Sequence, residues 1–472
     1  METRSLRFIA DATNGELRNA SPESRVTGIS TDSRAISRGE LFIALVGDRF
    51  DAHEFLSDEI GRRAGACLVE SHRIGSRIDG FAQIRVADSR AALGRLGARY
   101  RKAFDLPVIG VTGSNGKTST KHFLRAVLGQ SFRVCSSPAS FNNEVGVPLS
   151  LLNLETRSEV AVLELGTNHP GEIKPLAEMI QPTIGVLTSI GRSHLEFFGS
   201  VDAIAHEKGF LGECLPENGL FVVNGDASHL ESIVSRVSAR VVTVGFSDRN
   251  EWRIQEGTMG SSGSRFTVCH DSLGGSCDFT AKVVGRHQML NLGLAIAVGV
   301  EMGLTVEALQ EGVRRCEPER MRAEWEVVGG VTLFNDTYNA NADSMIAALE
   351  TLRAYPCQGR RHAVIGEMGE LGEFSESSHR EVGKVAARCG IDSITALGHY
   401  GEYVEDGARQ EGHEWVASFA DMEQIFDRVL DRLAGLVRAG DSVLIKASRR
   451  SGLERLTSAL RSRLNENKGN DL

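Results

Sequence analysis

The sequence predicts an α/β protein of three domains, and three observations lead to this prediction. The chain has 472 residues, which corresponds to about three domains at roughly 150 residues each. Short, continuous apolar runs recur along the chain, each followed by a glycine-containing turn and then by a helical pattern. Buried parallel strands have such runs, and their alternation with helices is typical of α/β layers. The 51 glycines indicate many tight turns, or backbone that approaches a ligand closely.

The apolar runs fall into three groups, which define the predicted domains. An N-terminal domain, residues 1–103, has strands near Ala66–Val69 and Ile84–Val86. A central domain, residues 104–325, begins with a glycine-rich loop and includes a polar segment, Asp248–Ser264, that is predicted to be an insertion or a hairpin. A C-terminal domain covers residues 326–472. The other predicted strands are Leu106–Val111, Val160–Leu165, Thr183–Ser189, Leu220–Asn224, Val241–Phe246, Gly330–Asn335, His362–Gly366, Ile391–Leu397 and Ser442–Lys446.

The composition argues against several classes of protein. The net charge is −9, whereas a nucleic-acid-binding surface usually makes a domain basic, so we expect no nucleic-acid partner. The eight cysteines are scattered without a C-x-x-C pair, which excludes a zinc ribbon and favours reduced thiols in a cytoplasmic protein. The first residues lack a signal-peptide pattern, and no apolar run approaches the ~18 residues of a membrane span. We therefore expect no membrane insertion.

A phosphate-binding loop is predicted at the start of the central domain. Residues 110–120 read GVTGSNGKTST, and a helical pattern follows. Backbone N–H groups at a glycine-rich helix start form a cradle for phosphate oxygens. Lys117 would reach the β- and γ-phosphates, and the Thr118 hydroxyl would bind Mg²⁺. Val111 stands where the standard G-x-x-x-x-G-K-[ST] pattern has glycine, so a plain glycine-rich turn with a surface lysine is the alternative.

Three further ionisable residues follow the next predicted strands. Ligands of open parallel sheets bind beyond the carboxyl ends of the strands, and Glu164 ends the run VAVLEL. An acid there suits Mg²⁺ coordination, although a carboxylate near a helix start is the structural alternative. His194 follows the run TIGVLTSI, and Lys208 lies on a predicted helix that Ser200 opens. Taken singly, a turn histidine and a solvent-exposed lysine remain the alternatives for these two.

The motifs occur in the order of one known family. After the loop come SFNNEVGVP (140–148), ELG (164–166), SHLEFFGS (193–200) with Lys208, and NDTYNAN (335–341). In this combination the chain resembles the Mur ligases, the ATP-dependent amide-bond-forming enzymes of peptidoglycan synthesis, over almost its whole length. The resemblance implies a small N-terminal α/β domain that binds a UDP-sugar and a central P-loop, parallel-sheet ATPase domain. The third domain would be Rossmann-like, bind the incoming amine and close on ATP.

Within the family, the chain looks most like the members that add D-alanyl-D-alanine to UDP-N-acetylmuramoyl-tripeptide. This choice rests on the strings YNANADSM (338–345) and GEMGELGEFSESSH (366–379), and on FDAHEF (50–55) after ALVGDR. The resemblance implies a ligase with these two small molecules and ATP as substrates, Mg²⁺ as cofactor and an acyl phosphate as intermediate. The D-N-P-R-type string of the lysine- or diaminopimelate-adding members does not occur.

The resemblance also implies a role for each matching residue. The catalytic residues would be Lys117, Lys208 and His194, and Lys208 matches the lysine that the family carbamylates with CO₂. The metal-binding residues would be Thr118, Glu164, His194 and Lys208. The ATP-binding residues would be Gly113, Ser114, Asn115, Gly116, Lys117, Thr118, Ser119, Asn291, Arg322 and Asp336. The substrate-binding residues would be Ser33 and Arg34 at the uridine nucleotide, Asn142 and Asn143, and Tyr338, Asn339 and Asn341 at the dipeptide.

Three residues depart from the family pattern. Gln288 stands where asparagine is common, Asn335 where aspartate often precedes Asp336, and Glu319 where glycine is frequent. These departures affect the adenine side and the hinge of the expected site more than the phosphate loop. The hinges are expected near residues 103–106 and 323–330.

Three other functions fit parts of the sequence. A generic P-loop NTPase would need no UDP-sugar site, and a catalytically silent scaffold would keep only the fold. A ligase for another amino acid or for glutamate would share both fold and ATP loop. We expect a monomer that binds small molecules.

Overall fold

The fold consists of three α/β units in a computed structural model that describes residues 1–47, 50–73, 79–420 and 422–470. The N-terminal unit has a five-stranded sheet in the order β2-β7-β6-β5-β4 and a two-stranded sheet, β1-β3. Among the described strands of the larger sheet, only β2 runs antiparallel to its neighbour. Its elements are β1 (Arg4–Ser5), α1 (Leu6–Thr13), β2 (Glu16–Arg18), β3 (Arg25–Val26), β4 (Ile29–Ser30), β5 (Leu41–Ile43), α2 (Asp58–Arg63), β6 (Ala66–Glu70), β7 (Gln83–Val86) and α3 (Ser89–Arg101).

The central unit contains a nine-stranded sheet in the order β16-β15-β14-β13-β12-β11-β8-β10-β9. Its elements are β8 (Val108–Thr112), α4 (Lys117–Leu128), β9 (Val134–Ser136), α5 (Gly146–Leu151), β10 (Val160–Glu164), α6 (Ile173–Ile180), β11 (Ile184–Leu187), α7 (Leu195–Phe198), α8 (Val201–Glu213), β12 (Leu220–Asn224), α9 (Leu230–Val234), β13 (Arg240–Gly245), β14 (Trp252–Gly260), β15 (Gly263–His270), β16 (Gly275–Ala281), α10 (Arg286–Glu301) and α11 (Val306–Arg314). Strands β8, β10, β11 and β12 are parallel and buried along their whole length.

The third unit has a six-stranded sheet in the order β17-β18-β22-β19-β20-β21, in which only β17 is antiparallel to its neighbour. Its elements are β17 (Glu324–Val328), β18 (Val331–Asp336), α12 (Ala342–Ala354), β19 (Arg361–Ile365), α13 (Ser375–Arg388), β20 (Ser393–Leu397), α14 (Gly401–Gln410), β21 (Val416–Phe419), α15 (Met422–Leu436), β22 (Ser442–Lys446) and α16 (Glu454–Asn470). The predicted α/β class with parallel sheets is therefore confirmed, whereas the predicted domain boundaries remain predictions.

The predicted strands all form, and their ends differ from prediction by no more than two residues. Strand β8 begins only after Pro107, which has no N–H to contribute to a ladder. The polar segment Asp248–Ser264 is a hairpin rather than a separate insertion, because β14 and β15 pair antiparallel and extend the central sheet. Alternating burial in β15 (Phe266 and Val268 inward) is the pattern of a sheet with one solvated face.

The N-terminal unit is fixed to the central unit through α3. The Tyr100 hydroxyl donates to the Leu154 carbonyl (2.8 Å), and the Arg101 guanidinium donates to the Ile180 carbonyl (2.9 Å). Gly97 lies so close to Pro148 that a Cβ on residue 97 would be 2.7 Å from the proline Cβ. One apolar core therefore runs from α1 and α3 into one face of the central sheet. No helix in the described ranges has the length and apolarity that a bilayer crossing needs.

Candidate active site

A cavity of about 530 Å³ lies between the central unit and the third unit. Its walls come from loops at the carboxyl ends of β8, β10, β11, β18 and β22, and from the first turns of α4, α10 and α12. Most of the residues that the sequence singled out line this cavity, namely Ser114, Asn115, Gly116, Lys117, Thr118, Ser119, Asn142, Glu164, His194, Asn291, Arg322, Asp336, Tyr338, Asn339 and Asn341. The rule that ligands bind beyond parallel strands thus locates the candidate site.

The loop between β8 and α4 has a backbone that only glycine fits at two positions. Gly113 and Gly116 have φ of 150° and 84°, which L side chains rarely adopt. A Cβ on Gly113 would lie 2.0 Å from Thr188 Oγ1, and one on Gly116 would lie 2.6 Å from Asn291 Oδ1. Helix α4 begins directly after this loop, and the first-turn N–H groups of a helix have no intrahelical acceptor. The arrangement suits an anion at this helix start.

Lys117 folds back over its own loop. Its Nζ donates to the Gly113 carbonyl (2.7 Å) and to the Ser114 carbonyl (3.4 Å). Burial lowers the pKa of Lys117, an effect that the Glu164 carboxylate opposes. The ammonium therefore sits over the loop, where a phosphate oxygen bound in the cradle would meet it.

Glu164 is the last residue of β10 and is buried, and its two carboxylate oxygens differ in their hydrogen-bond partners. Its Oε1 accepts from Asn142 Nδ2 (2.7 Å) and from the Thr118 hydroxyl (3.3 Å). Its Oε2 is buried and has no hydrogen-bond partner among the described residues, although Lys121 Nζ lies 3.8 Å away. Burying a carboxylate oxygen without a donor is costly unless a cation is near.

These oxygen donors fit a magnesium ion bound together with phosphate. The described part of the chain holds no group of three or more His, Cys, Asp or Glu side chains arranged as a metal site. Mg²⁺ is usually bound through one or two carboxylates plus substrate phosphates and water. Glu164 and the Thr118 hydroxyl, beside an anion cradle, match that pattern.

His194 lies after β11 and faces the third unit. Its backbone is left-handed, with φ of 56°, which is uncommon for a non-glycine residue and often marks a functional position. Its Nδ1 is 2.6 Å from Glu370 Oε2, and this contact with His194 holds the pKa of Glu370 below its usual value. The contact joins the two units at the edge of the cavity.

Lys208 lies on α8, which Ser200 caps as predicted. It is buried, with 1% of its surface exposed, and it is not among the residues that line the cavity. Burial holds the pKa of Lys208 well below its usual value, and the neighbouring charge of Lys117 acts in the same direction. The alternative of a solvent-exposed lysine is therefore wrong, because Lys208 lies on the buried face of α8 together with Glu207, Leu211 and Gly212.

The third unit contributes a chain of contacts to the opposite wall. The Arg322 guanidinium lies over the Tyr338 ring, 3.8 Å from its centroid, and the Tyr338 and Ser140 hydroxyls are 2.8 Å apart. The side chains of Asn115 and Asn341 exchange two hydrogen bonds of 3.2 and 2.9 Å. These contacts connect the phosphate loop and the segment after β9 to the loop after β18.

Three of the predicted substrate-binding residues lie away from the cavity. Arg34 is exposed in the N-terminal unit and pairs with Asp32, whose pKa it lowers to about 2. Ser33 is half-buried beside it. Asn143 accepts a hydrogen bond from the Gly146 N–H (2.9 Å) and so supports the start of α5. In the segment ALVGDR, Asp48 and Arg49 lie outside the described residues.

The departures from the family pattern have local structural partners. Asn291 Nδ2 donates to Gln288 Oε1 (3.2 Å), and both side chains are buried. Asn335 Nδ2 donates to Glu324 Oε2 (3.2 Å). Glu319 approaches Arg322 Nε at 3.7 Å. Each of the three therefore lies next to a residue of the cavity or the hinge.

Sequence reasoning missed several residues of the cavity wall. Thr188 and Ser189 hold the phosphate loop, since Asn115 N–H donates to Ser189 Oγ (2.8 Å) and Thr188 Oγ1 donates to the Asn115 carbonyl (2.5 Å). Lys446 Nζ donates to Asp336 Oδ2 (2.6 Å). Lys446 ends β22 as Glu164 ends β10, so the strand-end rule could have found it. Burial lowers the pKa of the nearby His287 to about 4.

Comparisons with known proteins find matches over most of the chain. The Mur ligase middle domain matches residues 111–299, and the Mur ligase glutamate ligase domain matches residues 319–449. The UDP-N-acetylmuramoyl-tripeptide–D-alanyl-D-alanine ligase of Bacillus subtilis is 32% identical over 98% of this chain and 99% of the relative. That of Escherichia coli is 33% identical over 97% and 98%.

Solved structures of the same ligase are also similar. A MurF structure from Acinetobacter baumannii has a TM-score of 0.89 and 28% identity, covering 98% of this chain and 99% of that one. MurF from Thermotoga maritima in complex with ADP has a TM-score of 0.82 and 26% identity, covering 93% and 98%.

Proposed function

This chain belongs to the Mur ligase family, and from this premise we propose that it joins D-alanyl-D-alanine to UDP-N-acetylmuramoyl-tripeptide at the expense of ATP. The products are the UDP-N-acetylmuramoyl-pentapeptide, ADP and phosphate. One observation carries the proposal most directly. A single cavity brings the phosphate loop of the central unit together with the segment Tyr338–Asn341 of the third unit. An ATP-dependent ligation needs this meeting of a phosphoryl donor with an amine.

The phosphoryl transfer takes place at the start of α4. The terminal carboxylate of the tripeptide attacks the γ-phosphorus of ATP, the bond to the β-phosphate oxygen breaks, and ADP leaves. Negative charge spreads over the transferring group, and Lys117 with the first-turn N–H groups of α4 stabilises it. Lys117 Nζ exchanges its present contact with the Gly113 carbonyl for a phosphate oxygen.

Glu164 and the Thr118 hydroxyl would hold Mg²⁺ beside these phosphates, and His194 lies at the edge of the same cavity. When bound, Mg²⁺ neutralises charge on the phosphate oxygens. Asn142 donates to Glu164 Oε1 and so fixes the orientation of this carboxylate.

The second step forms the peptide bond. The amine of D-alanyl-D-alanine attacks the acyl carbon of the acyl phosphate, a tetrahedral intermediate collapses, and phosphate leaves while the amine loses a proton. Tyr338, Asn339 and Asn341 face the dipeptide, and Ser33 and Arg34 bind the uridine nucleotide at the far end of the tripeptide. Water would hydrolyse the acyl phosphate, so the site must be closed during this step. The contacts between Asn115 and Asn341 supply part of that closure.

Lys208 is the candidate for carbamylation by CO₂. Only the neutral amine can attack CO₂, and the lowered pKa of Lys208 favours that form. The product is an anionic oxygen donor, which suits a hard cation better than an ammonium does. The enzyme acts as a monomer in the cytoplasm, with ATP and Mg²⁺ and without a nucleic-acid partner.

A release assay for ADP tests the proposed function. The assay contains UDP-N-acetylmuramoyl-tripeptide and ATP, with D-alanyl-D-alanine, lysine, diaminopimelate or D-glutamate as the amine. We expect ADP release only with the dipeptide. In Lys117→Ala we expect the rate of ADP release to fall by about 10²–10³-fold, the range for removing one group that stabilises charge in the transition state. ADP release with another amine alone, or without the tripeptide, would refute the assignment.

A further inference from the structure

Lys121 is a buried lysine to which the sequence analysis gave no role. It lies on α4 one turn after Lys117 and is 3% exposed. Its Nζ donates to the Ser137 carbonyl (3.0 Å) and to the Ala139 carbonyl. Burying an ammonium group is costly unless its N–H groups and its charge have partners. Lys121 therefore needs these two carbonyl oxygens and a nearby negative charge to be stable in the interior.

The third partner of Lys121 is Glu164. Lys121 Nζ lies 3.8 Å from Glu164 Oε2, the carboxylate oxygen that has no hydrogen-bond partner in the described residues. The other oxygen, Oε1, is the one that Thr118 and Asn142 share. The two oxygens are therefore distinguished: one faces Thr118 at the phosphate loop, and the other faces the Lys121 charge.

The two carbonyl contacts of Lys121 fall on a strained segment. Ala139 has φ of 40°, and a non-glycine residue with such a backbone persists only where its surroundings impose the conformation. The next residue, Ser140, contacts Tyr338 of the third unit, and Asn142 contacts Glu164. The conformation at Ala139 thus determines how two cavity residues enter the site.

We propose that Lys121 is a positioning residue with two arms, one that orients Glu164 through charge and one that holds the segment 137–139 through its carbonyls. Partners that orient a metal-binding carboxylate change metal affinity or activity by about 10–100-fold when they are removed. Loss of the first arm weakens the binding of Mg²⁺ with nucleotide. Loss of the second arm weakens the binding of D-alanyl-D-alanine, because Ser140, the residue after this segment, contacts Tyr338.

The first arm is tested by nucleotide binding, without ligation. ADP affinity is measured by calorimetry across a series of Mg²⁺ concentrations in the full-length protein. Lys121→Met and Lys121→Gln remove the charge, and we expect both to raise the Mg²⁺ concentration for half-maximal effect by about 10–100-fold. Lys121→Arg keeps the charge and should stay within about threefold. The exposed Lys102, at the end of α3, gives the matched control Lys102→Met, which should behave as the wild type.

The second arm is tested by the KM for D-alanyl-D-alanine. Lys121→Met removes the donor and should raise this KM, whereas Lys121→Gln keeps an N–H donor and should raise it less. Adding Ala139→Gly to Lys121→Met should restore the KM but not the Mg²⁺ dependence, because glycine adopts positive φ without support. If Lys121→Met is not recovered as a folded protein, the Gln and Arg variants carry the test.

The proposal is wrong if the folded Met and Gln variants keep the wild-type Mg²⁺ dependence, or if Arg is as impaired as Met. It is also wrong in its second arm if Ala139→Gly restores nothing. The proposal rests on the ligase assignment for the identity of nucleotide and cation. A wild-type protein that binds Mg²⁺ with ADP but forms no peptide bond would refute the proposed function. The role of Lys121 in binding Mg²⁺ with nucleotide would still be decided by the first test.

Discussion

Arg192 and Asp343 join the central unit to the third unit through three hydrogen bonds. The Arg192 backbone N–H donates to Asp343 Oδ2 (2.6 Å), and its Nε and Nη2 donate to Oδ1 (2.9 and 2.7 Å). Gly191 permits this approach, since a Cβ there would be 2.3 Å from Asp343 Oδ2. The pair holds the two walls of the cleft together. Since His194 lies two residues further along the same loop, the pair also fixes the loop that carries His194.

We predict that Arg192→Ala lowers kcat/KM for ligation by about five- to tenfold. The side chains are 27% and 34% exposed, so solvent screens the pair and we expect a coupling of about 1 kcal/mol in a double-mutant cycle with Asp343→Asn. The control is Arg388→Ala, which breaks the exposed Arg388–Glu411 pair within the third unit and should leave the rate unchanged. Additive effects of Arg192 and Asp343 would show that the pair does not act as a unit.

The buried pair of His362 and Asp441 predicts acid-sensitive stability of the third unit. Burial alone would raise the pKa of Asp441, but the N–H groups of Arg360 and Arg438 together with His362 lower it on balance. A depressed carboxyl pKa stabilises the fold above the unfolded value of 3.8, and this stabilisation is lost as the pH falls through the folded value.

Asp441→Asn should therefore lower the free energy of unfolding by about 1.5–3 kcal/mol at pH 7, the range for hydrogen bonds to a charged group. The difference from wild type should begin to shrink near pH 3.8, where Asp441 of the unfolded chain takes up a proton, and should disappear once the pH falls below the lower pKa of the folded protein. Thermal unfolding followed across pH measures this difference, and Asp11→Asn, at an exposed residue of α1, is the control. A difference that stays constant with pH would contradict the prediction.

Gly116→Ala should abolish nucleotide binding, a larger effect than backbone strain alone would cause. A left-handed backbone costs an L-residue about 1–2 kcal/mol, and Gly171 has nearly the same φ, 89° against 84°. A Cβ on Gly171 meets no atom within 4 Å, whereas one on Gly116 lies 2.6 Å from Asn291 Oδ1. Gly171→Ala is thus a control for strain alone, and equal ADP affinities of the two variants, measured by calorimetry, would show that close packing at Gly116 is unimportant.

The sequence was informative where local pattern and position along a strand decide the structure. Continuous apolar runs predicted the buried strands, and the strand-end rule placed Glu164 in the cavity. Lys208 was misjudged as exposed when taken alone, because burial on α8 depends on packing from distant segments. Arg192 and Lys121 were missed for the same reason, since their partners Asp343 and Ala139 are set by tertiary structure. Side-chain pairing between units has no local sequence signal.

Lys208→Met should separate activity from stability. Methionine has a similar length and no charge. The substitution removes a buried amine whose pKa burial holds well below its usual value. Replacing a buried ionisable group by an apolar side chain that fits is often neutral or stabilising. We expect an unchanged or higher melting temperature and at least a ~100-fold loss of ligation, in line with loss of a metal-site residue. Depleting CO₂ should slow the wild type and leave the residual rate of the variant unaffected. A folded Lys208→Met protein with wild-type activity would show that Lys208 only fills space beneath the cavity, and a lower melting temperature would show that the amine stabilises the fold.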